Sequence, residues 1–297
     1  MSTTRILDGK ALAAGIRAEV TARAATLTAQ GVRPTLAVVT ATDDESTAWY
    51  VRSIANAART AGIACDTVDL GPNTSHAEIL SALTALSHDP DVHGIILQTP
   101  LPSGTDLPTL RDAISPTKDI DGANSVSLGR LLAQQPSFAP ATAQAVMTLL
   151  DHHGIDLRAR RVAVVGRSIV VGTPVANLLV QRDATVTLCH RHTPDLAAST
   201  READIVVVAV GIPGLITAKH VGRGAMIIDV GTTATADGRL LGDVDATAVD
   251  GRAGGLTPVP GGIGPVTTAL LLANTTTAAA ATMDNRTRAA DLVTTAR

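Results

Sequence analysis

The chain has 297 residues, of which 45% are hydrophobic and 17% are charged, which is enough for two modest domains with separate cores. Its formal net charge is -3 and neither sign is concentrated in a block, so the composition argues against nucleic acid or an anionic membrane as a partner. Two distant cysteines and a start without a signal-peptide pattern lead us to expect a cytoplasmic protein with no disulfide framework and no metal site.

Segments of strand length and segments of helical periodicity alternate along the chain. The apolar runs predict strands at 35–40, 94–98, 162–165, 185–189, 205–210 and 225–230. The helical pattern predicts helices at 11–28, 46–61, 75–87 and 172–182. Strands that alternate with helices are typical of βαβ units, so the predicted fold class is α/β with parallel sheets.

Two breaks in this pattern suggest how the chain divides into domains. A polar stretch with prolines covers 134–142, and a loop rich in glycine and proline ends at Pro265, where a long helical tail begins. The tail is rich in threonine, which favours a packed helix over a membrane span. We expect residues 1–139 and 266–297 to form one domain, with residues 140–265 inserted as a nucleotide-binding domain.

Three short segments in the first domain carry groups suited to a heterocyclic ligand. Tyr50, early in a predicted helix, offers a flat ring for stacking and a hydroxyl for hydrogen bonding. Gln98 follows a buried strand and precedes Pro100, at the carboxyl end where α/β sheets bind ligands. Asp121 lies in a tight turn, where its carboxylate could bond an aminopyrimidine edge. A core tyrosine, a loop glutamine and an Asx turn are the ordinary structural alternatives.

The segment from Val162 to Gly172 predicts a buried strand, a turn and the start of a helix. Gly166 permits the tight turn, and Gly172 permits close approach of the helix, whose N-terminal amides can face a pyrophosphate. Ser168 occupies the middle position of the G-x-G-x-x-G pattern, so the match is partial. A strand–turn–helix that binds no phosphate is the alternative.

The end of the next strand indicates which dinucleotide is preferred. A carboxylate there would bond the ribose 2′-hydroxyl of NAD, whereas a basic group accepts the 2′-phosphate of NADP. This chain has His190, Arg191 and His192 at that position, and Arg167 adds a cation in the first loop. A solvated surface position is the alternative for each arginine, but together the two arginines favour NADP.

The loop from Thr257 to Thr267 contains three glycines and three prolines. The glycines let the backbone approach a ligand closely, and the prolines hold its path stiff. Thr267 then stands at the start of the predicted tail helix. A plain connector does not need this alternation of residues, so the pattern indicates a loop that contacts a ligand.

Taken together, these segments resemble the methylenetetrahydrofolate dehydrogenase/cyclohydrolase family, and the match is collinear over nearly the whole chain. The resemblance is carried by the Tyr50 helix and by the segments 7–10, 98–102, 118–122, 128–131, 166–168, Gly172 with Pro174, 228–231, 242–244 and 258–265. It implies an N-terminal three-layer α/β catalytic domain closed by the C-terminal helix, with an inserted Rossmann NADP-binding domain. The family usually dimerises through that Rossmann domain, and residues 233–241, with a hairpin turn at Asp237–Gly238, would supply part of the interface.

The resemblance also implies roles for individual residues. The pterin of a one-carbon substrate carried by tetrahydrofolate would stack on Tyr50, Asp121 would hold its edge, and Gln98 would orient the one-carbon bridge. Further positions implied for the substrate are Thr47, Pro100, Pro260, Gly261, Gly262 and Thr267. The positions implied for NADP are Gly166, Arg167, Ser168, Gly172, His190, Arg191 and Thr232.

The main departure from the family is Ile54, because the family has a lysine there, one helical turn after the tyrosine. That lysine is the family's main candidate for activating water in the hydrolytic step, a task for a general base that is typically worth ~10²–10⁴-fold. Arg52 is two residues along the helix from Tyr50 and therefore points elsewhere. We expect NADP-dependent oxidation of methylenetetrahydrofolate with weak or absent cyclohydrolase activity. The alternatives are an oxidoreductase recruited to another folate or imine substrate, and a catalytically silent protein that binds folate or NADP.

Overall fold

The computed structural model describes residues 3–235 and 237–295, with side chains described as far as Met283. The chain divides into two compact units. One contains the residues up to Ala14 together with Pro140–Thr267, and the other contains Gly15–Ala139 together with the residues from Thr268 onward. We name them the six-stranded unit and the three-stranded unit after their parallel sheets.

Strands and helices alternate through most of the described chain. The strands are β1 (Arg5–Ile6), β2 (Thr35–Thr40), β3 (Ala64–Asp69), β4 (Gly94–Leu97), β5 (Arg161–Val165), β6 (Thr185–Cys189), β7 (Ile205–Val208), β8 (Met226–Asp229), β9 (Thr233–Ala234), β10 (Leu240–Leu241) and β11 (Gly255–Leu256). The helices are α1 (Lys10–Ala29), α2 (Glu45–Thr60), α3 (His76–His88), α4 (Leu107–Asp112), α5 (Ser125–Leu132), α6 (Ala141–His152), α7 (Gly172–Val180), α8 (Leu196–Arg201), α9 (Ala246–Val249) and α10 (Ile263–Thr295), with a 3₁₀ turn at Ala218–His220. In the part of the chain that the structure describes, no helix combines the length and the apolar character that crossing a membrane requires.

The predicted α/β fold is confirmed, and every strand and helix predicted from the sequence is present within two residues of its predicted limits. The sequence misses β3, one of the two edge strands of the three-stranded sheet. Asp66, Thr67 and Asp69 interrupt its apolar run, because an edge strand exposes polar side chains that a central strand would bury. The predicted hairpin at Asp237–Gly238 is also confirmed, since β9 and β10 pair antiparallel around it.

The six-stranded sheet has the order β1-β11-β8-β7-β5-β6, and all of its pairings are parallel. β1 belongs to it because Arg5 pairs with Gly255 and Ile6 with Leu256. The residues up to Ala14 therefore group with this unit, whereas the sequence places them in the other domain. A strand of two residues has no periodicity from which its partner could be predicted.

The three-stranded sheet has the order β3-β2-β4 and is also parallel. The segment that follows α4 runs beside β4, where Ile95 forms a parallel bridge with Asp119. α10 covers this edge: a Cβ atom placed on Gly94 would lie 3.0 Å from Oγ1 of Thr275. The side-chain amide of Asn274 donates to the carbonyl oxygen of Ile120 at 2.8 Å, so the tail helix closes this unit as the sequence predicts.

Replacing Asn274 with Ala tests how firmly α10 holds the turn that contains Ile120. Loss of the amide leaves a partly buried carbonyl oxygen without this donor, so we expect the free energy of unfolding to fall by about 1–3 kcal/mol. Thr282→Ala is the matched control, because the hydroxyl of Thr282 donates to the carbonyl oxygen of Ala278 within the same helix, and its removal should change stability by no more than about 0.5 kcal/mol. Urea unfolding followed by circular dichroism measures both variants, and equal losses would contradict this role for Asn274.

Candidate functional site

The N-terminus of α2 is fixed by Asp44. Its Oδ2 accepts hydrogen bonds from both the backbone N–H and the hydroxyl of Thr47, each at 2.7 Å, which is the usual way in which aspartate caps a helix. These bonds hold the pKa of Asp44 below its ordinary value. The hydroxyl of Thr47, predicted to face the substrate, is therefore engaged within the protein, and the cap sets the direction of the helix that carries Tyr50.

Tyr50 lies beside α10 and beside Asp121. Its hydroxyl shares a side-chain hydrogen bond with Thr268. Burial, followed by the charge of Asp121, raises the pKa of Tyr50 to about 12. The phenol is therefore neutral at physiological pH, and its hydroxyl is held in place. Any stacking of a ligand on the ring depends on packing rather than on charge.

Asp121 lies among charged groups at the end of the segment that runs beside β4. Burial and the charge of Asp119 raise the pKa of Asp121 to about 7, against an opposing effect of Arg111. Asp119 is itself held by the backbone N–H groups of Ala123 and Asn124, at 3.1 and 2.9 Å. The structure thus brings Tyr50 and Asp121 together, as the sequence predicts, with a carboxyl whose charge changes near neutral pH.

Ile54 lies one helical turn after Tyr50 and is 0% exposed. Its aliphatic side chain can neither donate nor accept a proton. The sequence has three lysines, and Lys118 is the only one in the three-stranded unit. Its Nζ donates to the carbonyl oxygens of Leu86 and Asp89, so it is engaged in fixing the end of α3. Within the described part of this unit, no other lysine is present to replace the one that the resemblance implies at position 54.

Gln98 follows β4 at the carboxyl edge of the three-stranded sheet. Its backbone N–H donates to the carbonyl oxygen of Val39 at 2.9 Å, and its side-chain amide donates to the carbonyl oxygen of Thr99 at 3.3 Å. The residue is half-buried, and Pro100 after it is exposed. This long contact to a neighbouring carbonyl leaves the side-chain oxygen of Gln98 able to accept a hydrogen bond from a ligand.

The loop after β5 has the geometry of a dinucleotide-binding turn. Gly166 has φ of 118°, and a Cβ atom on it would lie 2.1 Å from the carbonyl oxygen of Ala209. A Cβ atom on Gly172 would lie 2.0 Å from the carbonyl oxygen of Gly166. Both positions therefore require glycine, as the sequence predicts. Ser168 Oγ accepts from the backbone N–H groups of Val171 and Gly172, at 3.2 and 3.4 Å, and so orders the start of α7.

The turn after β6 presents basic groups at the same edge of the sheet. His190 Nδ1 accepts from the backbone N–H of His192 at 3.2 Å, and Nε of Arg191 donates to Nε2 of His192 at 3.1 Å. Arg167 and Arg191 are both exposed, and across the described ranges neither forms an ion pair with a carboxylate. Two cations without a protein counterion fit a 2′-phosphate. Thr232 is also exposed and follows β8 at the same edge of the sheet.

The loop after β11 packs against the start of α1. The N–H of Gly9 donates to the carbonyl oxygen of Gly261 at 2.9 Å, and a Cβ atom on Gly9 would lie 2.0 Å from the carbonyl oxygen of Gly262. A Cβ atom on Gly261, which has φ of 115°, would lie 2.9 Å from Cε of Lys10. Pro260 is exposed beside them. The glycines are thus needed for chain packing, in addition to any contact with a ligand.

Thr267 forms a hydrogen bond within α10, and three further polar residues form contacts that sequence reasoning misses. The hydroxyl of Thr267 donates to the carbonyl oxygen of Ile263 at 3.3 Å, and its neighbour Thr268 contacts Tyr50. The sequence gives no role to Arg111 beside Asp121, or to Asp243, whose carboxylate holds a loop of the six-stranded unit. No local motif marks Thr268 or Arg111, because their partners are distant along the chain.

Comparison with known proteins assigns the two parts of the chain to one family. Residues 7–121 match the catalytic domain of tetrahydrofolate dehydrogenase/cyclohydrolase. Residues 140–283 match the NAD(P)-binding domain of the same enzyme family. Because these matches cover most of the sequence, the chain belongs to the tetrahydrofolate dehydrogenase/cyclohydrolase family.

Individual relatives resemble the chain over nearly its full length. The "Bifunctional protein FolD 1" of Rhodococcus jostii is 72% identical over 276 residues, which are 93% of each chain. A crystal structure of the bifunctional enzyme FolD from Campylobacter jejuni has a TM-score of 0.91 at 37% identity and covers 95% of this chain and 99% of its own. The Trypanosoma brucei enzyme, solved in complex with NADP cofactor and inhibitor, also has a TM-score of 0.91, at 38% identity, with 95% and 99% of the two chains covered.

Reversing the charge of Arg191 tests whether the turn after β6 selects the cofactor. We expect Arg191→Glu to raise the Michaelis constant for NADP at least ~10-fold more than that for NAD, because the carboxylate would repel only the 2′-phosphate. Arg201→Glu, at the exposed end of α8, is a control for the change in net charge. Steady-state kinetics with both cofactors measures the effect, and equal changes for NADP and NAD would remove Arg191 from the 2′-phosphate site.

Proposed function

We propose that this protein oxidises methylenetetrahydrofolate to methenyltetrahydrofolate, with NADP as the hydride acceptor, and hydrolyses the product weakly or not at all. Family membership and the pairing of Tyr50 with Asp121 support the oxidation. The observation that carries the division between the two activities is Ile54, which is fully buried one turn from Tyr50. The two reactions make different demands on the protein.

The oxidation mainly requires positioning. A hydride leaves the methylene carbon, and the remaining positive charge is shared with the adjacent folate nitrogens. NADP, when bound, supplies the acceptor. The protein must hold the two rings in contact with their orbitals aligned. Tyr50 can provide the stacking surface and Asp121 can hold the aminopyrimidine edge, and neither task needs a protein group that exchanges a proton with the reacting carbon.

The hydrolysis requires more than positioning. Water must add to the methenyl carbon and lose a proton, which is work for a general base. Ile54 cannot accept that proton, and Lys118 is bound to the carbonyl oxygens of Leu86 and Asp89. The methenyl product should therefore dissociate from the protein without being hydrolysed.

The preference for NADP is supported by the chain's own residues. Arg167 and Arg191 are exposed, and the ion pairs found in the described residues include neither of them. The Trypanosoma brucei relative is described as complexed with NADP. Gly166 and Gly172 let the turn after β5 pack closely on Ala209 and on itself, which is the tight turn that a dinucleotide-binding site requires. The two arginines and the glycine turn would hold the cofactor's phosphates. No acidic residue follows β6 before Asp195, so no carboxylate is placed to bond the ribose of NAD.

We also propose that the protein acts in the cytoplasm. It would do so as a homodimer formed through the six-stranded unit. Leu188 on the edge strand β6 and Leu241 on β10 are both exposed. Exposed apolar residues on an edge strand and on a hairpin favour burial against another chain. Sedimentation of the protein measures the oligomeric state, and Leu241→Asp should shift it towards monomer.

The proposed oxidation is tested by following NADPH formation from methylenetetrahydrofolate and NADP. Turnover at rates typical of enzymes, about 1–10³ per second, supports the proposal. Binding of both ligands without turnover would identify a silent binding protein. Absence of both binding and turnover with the folate would point to another imine substrate, and either result would overturn the proposed reaction.

The affinity for folate should depend on the charge of Asp121. Since its pKa is about 7, the carboxyl is largely protonated at lower pH and cannot accept both hydrogen bonds of an aminopyrimidine edge. We expect the affinity for folic acid, an analogue that cannot react, to rise about tenfold between about pH 6 and about pH 8. Calorimetry at several pH values measures this rise, and Asp121→Asn should remove it. A rise of the same size in Asp121→Asn would assign the pH dependence to another group.

Introducing a lysine at Ile54 tests the division between the two activities. Ile54→Lys should accelerate the hydrolysis of methenyltetrahydrofolate at least ~10-fold over the unmodified protein, as a partial recovery of the ~10²–10⁴-fold typical of a general base. Ile54→Met is the matched control, with similar volume and no basic group. The decay of methenyltetrahydrofolate absorbance with and without each protein measures hydrolysis. Clear acceleration by the unmodified protein would show that another group performs this step.

A further inference from the structure

Two segments that carry the family resemblance, 228–231 and 242–244, interlock through buried carboxylates. Asp229 accepts hydrogen bonds from the backbone N–H groups of Gly231, Asp243 and Val244, at 2.9, 3.0 and 2.9 Å. A Cβ atom on Gly242 would lie 2.0 Å from Oδ2 of Asp229, and one on Gly231 would lie 2.2 Å from Cγ of Asp243. Each carboxylate therefore packs on a glycine of the opposite segment, and neither glycine position has room for a side chain.

Asp243 extends this network to a third segment. Its Oδ2 accepts hydrogen bonds from the backbone N–H groups of Val210 and Gly211, at 2.7 and 3.0 Å. Asp243 is 0% exposed, and its Oδ1 has no hydrogen-bond partner among the described residues. One carboxylate oxygen thus fixes two successive peptide groups.

The segment that Asp243 holds forms one wall of the expected cofactor crevice. Residues 209–211 follow β7, and β7 is the neighbour of β5 on the side opposite to β6. The strand order reverses at this point, and open α/β sheets bind their ligands in the crevice at the carboxyl ends of such strands. The carbonyl oxygen of Ala209 lies directly against Gly166, so residues 209–211 and the glycine turn after β5 touch one another.

We propose that Asp243 is a positioning residue for NADP. Its carboxylate sets the direction of the peptide groups at 209–211 and thereby the shape of the crevice that receives the cofactor. The proposal rests on NADP as the cofactor of the proposed function. It does not require that methylenetetrahydrofolate is the substrate. Asp243 is buried and acts through the loop, without touching the cofactor itself. Removing its carboxylate frees the N–H groups of Val210 and Gly211 to turn, and the crevice then loses its fixed wall.

The first test is hydrogen exchange at the amides of Val210 and Gly211 in the protein without cofactor, followed by NMR. Both amides should be protected in the unmodified protein, and both should exchange at least ~10-fold faster in Asp243→Ala. Asp245→Ala is the matched control. Asp245 also accepts a backbone N–H, that of Ala248 at 3.0 Å, but it holds no part of the crevice wall, so its removal should leave the two amides protected.

The second test is calorimetric binding of NADPH and, separately, of folic acid. Asp243→Ala should weaken NADPH binding at least ~10-fold and leave folic acid binding within about twofold, while Asp245→Ala should change neither by more than about twofold. If the unmodified protein binds NADPH but fails to oxidise methylenetetrahydrofolate, the proposed function fails and the binding comparison still tests Asp243. NADPH affinity retained in Asp243→Ala, or lost equally in both variants, would overturn the positioning role.

Asp243→Asn keeps the test decisive if the alanine variant does not fold. An amide oxygen can accept both hydrogen bonds in place of Oδ2, so the two amides should stay protected and NADPH affinity should stay within about threefold of the unmodified protein. Loss of NADPH binding with the amides still protected would show that the negative charge matters rather than the direction of the loop, and would overturn the proposal.

Discussion

Parallel strand pairing is the constraint on which the rest of this structure depends. Every pairing in the six-stranded and three-stranded sheets is parallel, so all the strands of one sheet end at the same edge. In the three-stranded unit this places the start of α2 and Gln98 at neighbouring strand ends. In the six-stranded unit it gathers the glycine turn after β5, the basic turn after β6 and residues 209–211. The direction of the strands therefore accounts for where both sets of candidate residues lie.

Local patterns predict most of the fold, but only part of the site. Long apolar runs and helical periodicity are enough to place the central strands and helices, and the glycines at 166 and 172 are predictable because the turn demands them. The short strand β1 and the polar edge strand β3 give no comparable signal. Thr268, Arg111 and Asp243 act through partners that packing brings near, such as Val210, which is 33 residues from Asp243. Such contacts follow from the fold and cannot be derived from local sequence.

The chemistry attributed to the protein depends on one helical turn. The spacing of α2 places Ile54 next to Tyr50, and its complete burial agrees with an aliphatic residue at this position. A lysine there would need a partner or water to offset the burial of its charge. The isoleucine needs neither, and in the proposed function it leaves the site without a general base while Tyr50 and Asp121 remain in place. The proposed function therefore separates the positioning of the substrate from proton transfer.

The most direct measurement is the identity of the first folate product released during turnover. The protein is mixed with methylenetetrahydrofolate and NADP in a buffer where spontaneous hydrolysis is slow, and the quenched folates are separated by chromatography at several times. If Ile54 leaves the site without a general base, methenyltetrahydrofolate should accumulate in step with NADPH, one molecule for each. Formation of 10-formyltetrahydrofolate at the same rate as NADPH would contradict this account.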